Sequence, residues 1–573
     1  MIELSQAMQW RIATPAPQQF IERASDLHPV VAQVLYNRGL AAPEEIAAFF
    51  SDTGASENPF LLRDMDVAVT LIRRIVLAGG LIAVYGDYDV DGVTATAILA
   101  QTLNALGAEV CPYIPDREEE GYGLNPEALR TLAEAGVQLL ITVDCGIRSL
   151  DEVALARSLG MAVIVTDHHH ISAALPPADA VINPRREDSK YSFRELAGAG
   201  VAFKLAQALL RTNAQVPLST TRRVLPENDL LDLAALGTVA DMVPLLGENR
   251  DLVRRGLVDI NAGRRPGVAA LIEVSGQQLG QVTAMLIGYT LAPRLNAAGR
   301  LSHASTALDL LMAADMSVAL PLARELDTLN RERQQLTEQV QMMAQAEVGD
   351  VGVEQPLLFA VSSTFPPGVI GLAAGRLMEQ FYRPAIVVEQ GEEFSKGSAR
   401  SIPEFHITEA FDSVSELLEQ YGGHAAAAGF TVRTERLPAL RERLLALAAE
   451  RLGDLSLSPE IYVDAETPLH TLSWQLCEAF EALQPFGYGN LAPVLVSRYA
   501  RVVSMRPVGA DGRHLKLALG DANGRVWDAI AFRQGHWVGR LPNTIDVAYT
   551  FERNEWNGNV RLQLNIKDIH VSR

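Results

Sequence analysis

Leu81–Gly92 reads LIAVYGDYDVDG, an apolar run that breaks into alternating aspartates. Leu81-Ile82-Ala83-Val84 has the length and β-branched content of a buried strand. It runs into Gly86, then Asp87, Asp89 and Asp91 at every second position, then Gly92. Residues two apart on an extended segment point the same way, so this pattern predicts three carboxylates converging at the C-terminal end of a strand. Unpaired, they repel one another and raise their own pKa values. A hard divalent cation, which prefers oxygen ligands, removes that repulsion. The same string also reads as a solvated acidic turn, so the metal reading depends on what else the chain brings to this place.

Downstream, the pattern becomes strand and helix in alternation. Val93–Leu106 is predicted as a helix and Glu109–Ile114 as a strand. Asn125 caps a helix over Pro126–Ala135, with proline at its first position. Leu139–Val143 is a strand ending in Asp144-Cys145-Gly146, and Leu150–Leu159 is a helix. Met161–Thr166 is a strand ending in Asp167-His168-His169-His170. Such alternation implies a parallel sheet with helices on both faces and a ligand site beyond the C-terminal strand ends. Three strands thus deliver ligand-type residues to one edge. In LLDLAALGTVADMVPLL (230–246), Asp241 is a lone carboxylate among apolar residues, read either as a turn aspartate or as a further metal ligand.

At 573 residues the chain is too long for one core. A hydrophobic content of 48% with 21% charged residues describes a globular protein, and no apolar run approaches a membrane span. The N-terminus lacks the basic start and apolar core of a signal peptide. Cys111, Cys145 and Cys477 form no CxxC pair, which fits the cytoplasm. A net charge of −20 argues against a general nucleic-acid coat but leaves room for a local basic groove. The absence of GxxxxGK[ST] and of a strand-linked GxGxxG removes the main support for nucleoside triphosphate or dinucleotide binding.

The other segments read as follows. Residues 1 to about 78 are mostly helical, with helices opening at Pro43 and covering Met65–Ala78. Leu322, Leu326, Leu329, Leu336, Val340 and Met343 form the seam of a long amphipathic helix interrupted by Arg333; it either bridges two lobes or serves the core of the second. Leu357–Ser362 and Ala385–Val388 are predicted strands, and Val369–Glu379 and Ile407–Tyr421 predicted helices. GSARS (397–401) and Gly422-Gly423-His424 read as turns, the first also suiting a phosphate. From about Pro459 the period is two: His514–Leu519, Val526–Phe532, Val547–Glu552 and Val560–Ile566 suggest a small antiparallel barrel of the OB type. Its aromatics Trp527, Phe532, Trp537 and Trp556 suit either a core or base stacking.

Asp87, Asp89, Asp91, Asp144, His168, His169 and Asp241 together make an oxygen-rich set with imidazole. It holds too many carboxylates for one structural zinc and suits Mn²⁺ or Mg²⁺. Two ions sharing Asp144 would activate a water and stabilise an in-line displacement at phosphorus.

GDYDVDG, TVDCG, TDHHH and GTVADMVPL resemble, in order and spacing, the four motifs of the DHH phosphoesterase superfamily, and GSARS and GGHAAAAGF resemble its DHHA1 lobe. With YIPDREEEGYGLN and the terminal barrel, the chain is similar to the bacterial single-strand-specific exonucleases of that superfamily. The resemblance implies a two-lobed α/β enzyme. Its expected parts are an N-terminal helical segment (1–44), a DHH catalytic domain with a parallel sheet (45–314), a connecting helix (315–350), a DHHA1 α/β lobe (351–450) and an OB-like β-barrel (455–573). It implies 5′→3′ exonuclease action on single-stranded DNA in recombination and repair. Carried over by motif, Asp89, Asp91, Asp144, His168 and Asp241 hold two metals with Asp87 alongside. His169 faces the scissile phosphate and Asp167 orients a histidine. Ser398 and Arg400, with Arg117, hold a 5′-phosphate. His424 sits across the cleft, and Arg294 and Asn296 lie near substrate. Implied partners are single-strand-binding protein and RecQ-type helicases, with no membrane and a monomeric state. A small-substrate hydrolase of the same superfamily is the competing enzyme reading, which the barrel disfavours. A non-catalytic scaffold is disfavoured because every ligand-type residue is present.

Overall fold

The apolar run at Leu81–Tyr85 is an inner strand of a five-stranded sheet, all parallel, in the order Glu109–Tyr113, Leu81–Tyr85, Val137–Val143, Ala162–Thr166, Ala180–Ile182. Alternate residues feed two separate cores. Ile82, Val84, Leu139, Ile141 and Ile164 join one, and Ala83, Tyr85, Leu140, Val163 and Val165 the other. Burial on both faces is why these strands read as continuous apolar runs. The edge strand Glu109–Tyr113 carries Pro112, which cannot extend the ladder. The computed structural model describes residues 8–51, 56–117, 120–121, 123–349, 355–509, 511–556 and 559–572, without the side chain of Trp556. Glu118, Glu119 and Tyr122 of the YIPDREEEGYGLN motif, and the Trp556 ring, lie outside the described residues.

Two compact units emerge. One comprises Gly54–Arg451 and Pro485–Asn490; the other comprises Met1–Thr53, Leu452–Gln484 and Leu491–Arg573. In the first, the helix after the first strand runs Val90–Leu106 and is buried along almost its whole length. Its hydroxyls return to its own backbone, Thr94 to Val90 at 2.8 Å, Thr96 to Gly92 at 2.7 Å and Thr102 to Ile98 at 2.8 Å, which satisfies polar groups that water cannot reach. Asn125 caps Pro126–Glu134 as the sequence predicts, accepting from the Glu127 and Ala128 N–H groups.

The long helix is Met316–Val348. Its buried residues are Ala319, Ala323, Leu326, Asp327, Asn330, Thr337, Val340, Ala344 and Val348, so of the predicted seam Leu326 and Val340 face inward. Leu322, Leu329 and Leu336 flank this seam half-buried, and Met343 is exposed. Small and polar residues occupy the seam because neighbouring helices approach closely there, so size rather than hydropathy marks the inner face. Ala319, Ala323 and Leu326 belong to the core of the parallel-sheet lobe, and Val340, Ala344 and Val348 to that of the second lobe, so the helix bridges the two.

The second lobe is a five-stranded sheet in the order Leu418–Gly423, Ala427–Arg433, Phe394–Arg400, Ala385–Glu389, Leu358–Ser362, with only the last pair parallel. Two expectations fail here. GSARS is not a turn; Gly397–Arg400 lies inside a strand, and Gly397 is required because the Phe430 ring occupies the place of a side chain. The helix predicted over Ile407–Tyr421 ends at Asp412, and Leu418–Gly423 is an edge strand paired to Ala427–Arg433. Tertiary pairing overrides a weak helical period there.

In the other unit, Val494–Val508, His514–Gly520, Val526–Ala531, Asn559–Val571 and Thr544–Trp556 bond in a ring that returns to Val494–Val508. This is an OB-type barrel. The first strand, which the period-two reading missed, is long and interrupted by register shifts between Ser497/Ala500 and Val502/Ser504. Such bulges bend one strand so that it serves two neighbours, and they scramble its alternation. The barrel is not wholly antiparallel, since Val526–Ala531 pairs parallel to Asn559–Val571. Trp527 is core, edge-on to Phe551, whereas Phe532 is exposed and Trp537 half-buried. The N-terminal segment is not helical throughout. Gln9–Ile12 is a strand parallel to Glu460–Val463, and the Trp10 ring stacks on His570 at 3.9 Å. Among the described residues no helix is long and apolar enough to cross a membrane.

Candidate functional site

The strand ends at Tyr85, so Asp87, Asp89 and Asp91 do not alternate along an extended segment as predicted. Asp89 is the N-cap of the following helix, accepting from Gly92 N–H at 3.1 Å, and Asp91 lies in its first turn. Asp91 in turn accepts from the N–H groups of Gly198 (2.6 Å) and Ala199 (2.8 Å), the start of the helix Gly198–Gln215. Gly92 is required because a Cβ there would sit 2.5 Å from the Asp87 backbone. The helical turn still gathers the carboxylates, but on two sides. Asp87, Asp89 and Asp144 form one group of mutually close ligand atoms, Asp91, His168 and Asp241 a second, and Asp144, His168 and His169 a third that links them.

Asp144 follows the strand Val137–Val143 with φ of 60°, a left-handed conformation that costs an aspartate roughly 1 kcal/mol. Gly198 packs against it so closely that a Cβ would meet its side chain at 2.6 Å. His168 Nε2 lies 3.1 Å from Asp144 Oδ1, 3.6 Å from Asp241 Oδ2 and 3.9 Å from Asp91 Oδ2. Burial, then the neighbouring His169, lowers the His168 pKa to about 3, so the ring is neutral at pH 7. Its Nε2 and the Asp87 Oδ1 are buried with no hydrogen-bond partner among the described residues.

Burial, then Asp89, pushes Asp91 up to about 7; burial, then Asp91, pushes Asp241 up to about 9. Asp87 and Asp144 are raised well above the carboxylate range by burial and by their acidic neighbours. A neutral imidazole lone pair aimed into buried carboxylates that repel one another is the electrostatic signature of a divalent-cation site, and the oxygen-rich donor set fits Mn²⁺ or Mg²⁺.

Asp167 has a different environment. One oxygen accepts from the backbone N–H of His168 and His169 and from His169 Nδ1 at 2.8 Å; the other accepts from Ile147 N–H at 2.9 Å. Burial opposes its ionisation, yet these hydrogen bonds hold it below its usual value. For His169, burial opposes the charged form, but the Asp167 bond and nearby aspartates outweigh it and raise its pKa.

Beside the carboxylates lies a basic pocket. Arg117 stacks over the Tyr88 ring at 4.8 Å, between Asp87 and Asp89 in sequence. Its loop is stapled by Glu120, which accepts from Tyr113 Oη at 2.6 Å and Asp116 N–H at 3.0 Å. Arg400 donates to Ser398 Oγ at 3.2 Å and to the Ala399 carbonyl at 2.8 Å. Both side chains press on Gly371 of the helix Pro367–Phe381. Burial, then Arg117, lowers the Arg400 pKa.

Arg300, which the sequence reading missed, donates to the Gly368 carbonyl at 3.2 Å. Burial, then Arg117, Arg333 and Arg400, lowers its pKa to about 10. The signal was available: Arg300 is four residues from Asn296 on the helix Ala292–Leu301, hence on the same face. Asn296 accepts from Val90 N–H at 3.0 Å and so pins the helix start that carries Asp89 and Asp91. Arg294 is not brought to this pocket; it pairs with Asp327 at 3.0 Å and donates to the Thr290 carbonyl. The His424 ring stands 6.5 Å from that of His170.

Comparison with known proteins follows the same divisions. The profile of the DHH family N-terminal domain matches residues 81–238, the DHHA1 domain 354–450 and the RecJ OB domain 463–568. The chain is 38% identical over 99% of its length to the single-stranded-DNA-specific exonuclease RecJ of Bacillus subtilis, covering 72% of that protein. It is 35% identical to the RecJ of Salmonella typhimurium over 96% of this chain and 97% of that one. A crystal structure of Thermus thermophilus RecJ in complex with Mn²⁺ superposes with a TM-score of 0.85 at 32% identity, covering 100% of this chain and 80% of that one. A second structure of the same protein holds Mg²⁺ and gives a TM-score of 0.77 at 30% identity, covering 99% of this chain and 79% of that one.

Proposed function

The chain belongs to the RecJ family of single-stranded-DNA-specific exonucleases, and on that premise we propose that it hydrolyses single-stranded DNA from the 5′ end with two divalent cations, Mn²⁺ or Mg²⁺. The observation that carries this reading is the neutral His168 Nε2 facing Asp91, Asp144 and Asp241 in a buried acidic cluster. Asp87, Asp89 and Asp144 would hold one ion and Asp91, His168 and Asp241 the other, with Asp144, whose Oδ1 lies 3.1 Å from His168 Nε2, as the bridge between them. When bound, the ions supply an activated water and charge stabilisation on the phosphoryl oxygens.

The chain's own residues do the rest. Asp167 fixes the His169 tautomer and favours its charged form, so His169 presents its other ring nitrogen as a donor to the reacting phosphate. Arg117, Ser398 and Arg400, with Arg300, receive the 5′-terminal phosphate, which relieves the repulsion among the guanidiniums. His424 approaches from the second lobe, and Asn296 acts through the helix start.

We assign residues 45–314 to the catalytic domain, 315–350 to the connecting helix, 351–450 to the second lobe and 455–573 to the barrel, with 1–44 as a leading segment. The enzyme would act as a cytoplasmic monomer in recombination and repair, alongside single-strand-binding protein and a RecQ-type helicase. Digestion of end-labelled single-stranded and duplex DNA tests the reading. The expected result is loss of 5′ label from the single strand only, with Mn²⁺ or Mg²⁺ and not with chelator. Release from the 3′ end, or equal attack on duplex, would overturn it.

A further inference from the structure

The turn that follows Asp241 is braced from two sides. Met242 adopts φ of 60° while 68% exposed, so burial of its own side chain does not hold that conformation. From one side, Asn249 Nδ2 donates to the Pro244 carbonyl at 3.1 Å. From the other, Leu245 N–H donates to the Tyr488 carbonyl at 2.8 Å. Tyr488 belongs to Pro485–Asn490, PFGYGN, six residues that fall in the same compact unit as Asp241 although far from it in sequence.

This hexapeptide is itself a closed turn. Gly487 and Asn490 exchange backbone hydrogen bonds at 3.0 and 3.1 Å, and the buried Asn490 donates from Nδ2 to the Pro485 carbonyl at 2.7 Å. Gly489 has φ of 72°, and a Cβ there would lie 2.8 Å from Pro244 Cβ and 3.0 Å from Pro244 Cα. A proline ring and backbone cannot swing away as a side-chain tip can. Gly487 would meet only the movable Leu245 side chain.

We propose that the Pro485–Asn490 turn is a positioning element of the metal centre, bracing Pro244-Leu245 so that Asp241 is held toward His168 Nε2. It meets this turn through the Tyr488 carbonyl on Leu245 N–H and through Gly487 and Gly489 against Leu245 and Pro244, so it acts by bracing the backbone rather than as a ligand. The proposal rests on the reading of Asp241 as a metal ligand. Outer partners of metal ligands change metal affinity by about 10–100-fold when altered.

The test is Mn²⁺ titration of the full chain, counting free ion by electron paramagnetic resonance. Gly489→Ala should weaken one of the two ions about tenfold and leave the other. Excess Mn²⁺ should then restore turnover on single-stranded DNA. Gly539→Ala is the matched control, since Gly539 has φ of 73° with nothing within 4 Å of a Cβ; it carries the same backbone strain without the collision. Both ions should bind it normally. Asn490→Ala, which opens the hexapeptide without adding an atom at Pro244, should weaken the same ion and serves if Gly489→Ala fails to fold. Wild-type affinity for both ions in Gly489→Ala and Asn490→Ala, or an equal loss in Gly539→Ala, overturns the proposal. Asp241→Ala separates the premise: two ions of wild-type affinity in that variant would remove Asp241 from the ligand set and the brace with it.

Discussion

Two clusters of like charge lie side by side in the larger unit, and they answer repulsion differently. The carboxylates of Asp87, Asp91, Asp144 and Asp241 can take up protons, and their raised pKa values show that burial and mutual repulsion favour the neutral form. The guanidiniums of the basic pocket answer differently: Arg300, lowered to about 10 by burial and then by its arginine neighbours, still keeps its proton at neutral pH. The first cluster can be relieved by acid or by a cation, the second only by an anion. One should therefore respond to pH and chelator, and the other to the chemistry of the DNA end.

Removing the shared carboxylate separates the two most sharply. Asp144→Ala should lower turnover on the order of 10³-fold or more, because it strips a ligand from the Asp87/Asp89 group and from the group that links it to His168. Binding of 5′-phosphorylated single strands should persist in large part, because the basic pocket is untouched. Digestion rate and filter binding read the two effects apart, and wild-type turnover would refute the shared-ligand assignment.

The converse substitution is Arg400→Ala. It should leave Mn²⁺ affinity unchanged while reducing the preference for a 5′-phosphate over a 5′-hydroxyl by about 10–100-fold, the worth of a charge-assisted hydrogen bond or two. Competition between the two ends measures it, and equal selectivity in variant and wild type would exclude that role.

The contrast also explains what the sequence discloses. Asp87, Asp89, Asp144, His168 and Asp241 can be found because each sits at the end of an apolar run, where a charge is conspicuous. The backbone that carries Asp87, Asp89 and Asp91 is less legible: alternation in DYDVD suggests an extended chain, and only the Asp89 cap on Gly92 N–H reveals a helix start. The basic pocket is harder. Arg300 is one arginine among many, and its value comes from Arg117 and Arg400, which arrive from a loop and from another lobe. Strands at the second lobe's edge and the bent Val494–Val508 strand escape for a related reason, since their pairing is decided by distant partners and by bulges that break the period of two. The small-residue seam of Met316–Val348 shows that an inner face can be chosen by fit instead of hydropathy.

A finer probe of the basic side is the staple behind Arg117. Glu120→Gln or Tyr113→Phe weakens the bonds that hold the loop without touching a guanidinium. Each should raise KM for 5′-phosphorylated strands roughly 3–10-fold with kcat little changed, in line with the net worth of one hydrogen bond. Steady-state kinetics on both kinds of end would show it, and a fall in kcat alone would place the loop on the acidic side of the comparison.

The smallest effect is on stability, and its sign distinguishes the clusters. A carboxyl whose folded pKa exceeds its unfolded one holds more protons in the native state, so its contribution to stability is fully present below the unfolded value and is lost as pH rises through the folded value. Asp91 at about 7 and Asp241 at about 9 set the window. In chelator, the melting temperature should therefore fall between about pH 5 and 9. With saturating Mn²⁺ the slope over the same interval should flatten or reverse, because the cation binds only the deprotonated ligands. Differential scanning fluorimetry across pH, with and without the ion, gives both slopes. Asp144→Ala in chelator should have a shallower fall than the parent chain, whereas Arg400→Ala should keep it, since no proton leaves the basic pocket in that range. Parallel slopes with and without Mn²⁺ would mean that the acidic cluster is relieved by something other than a cation.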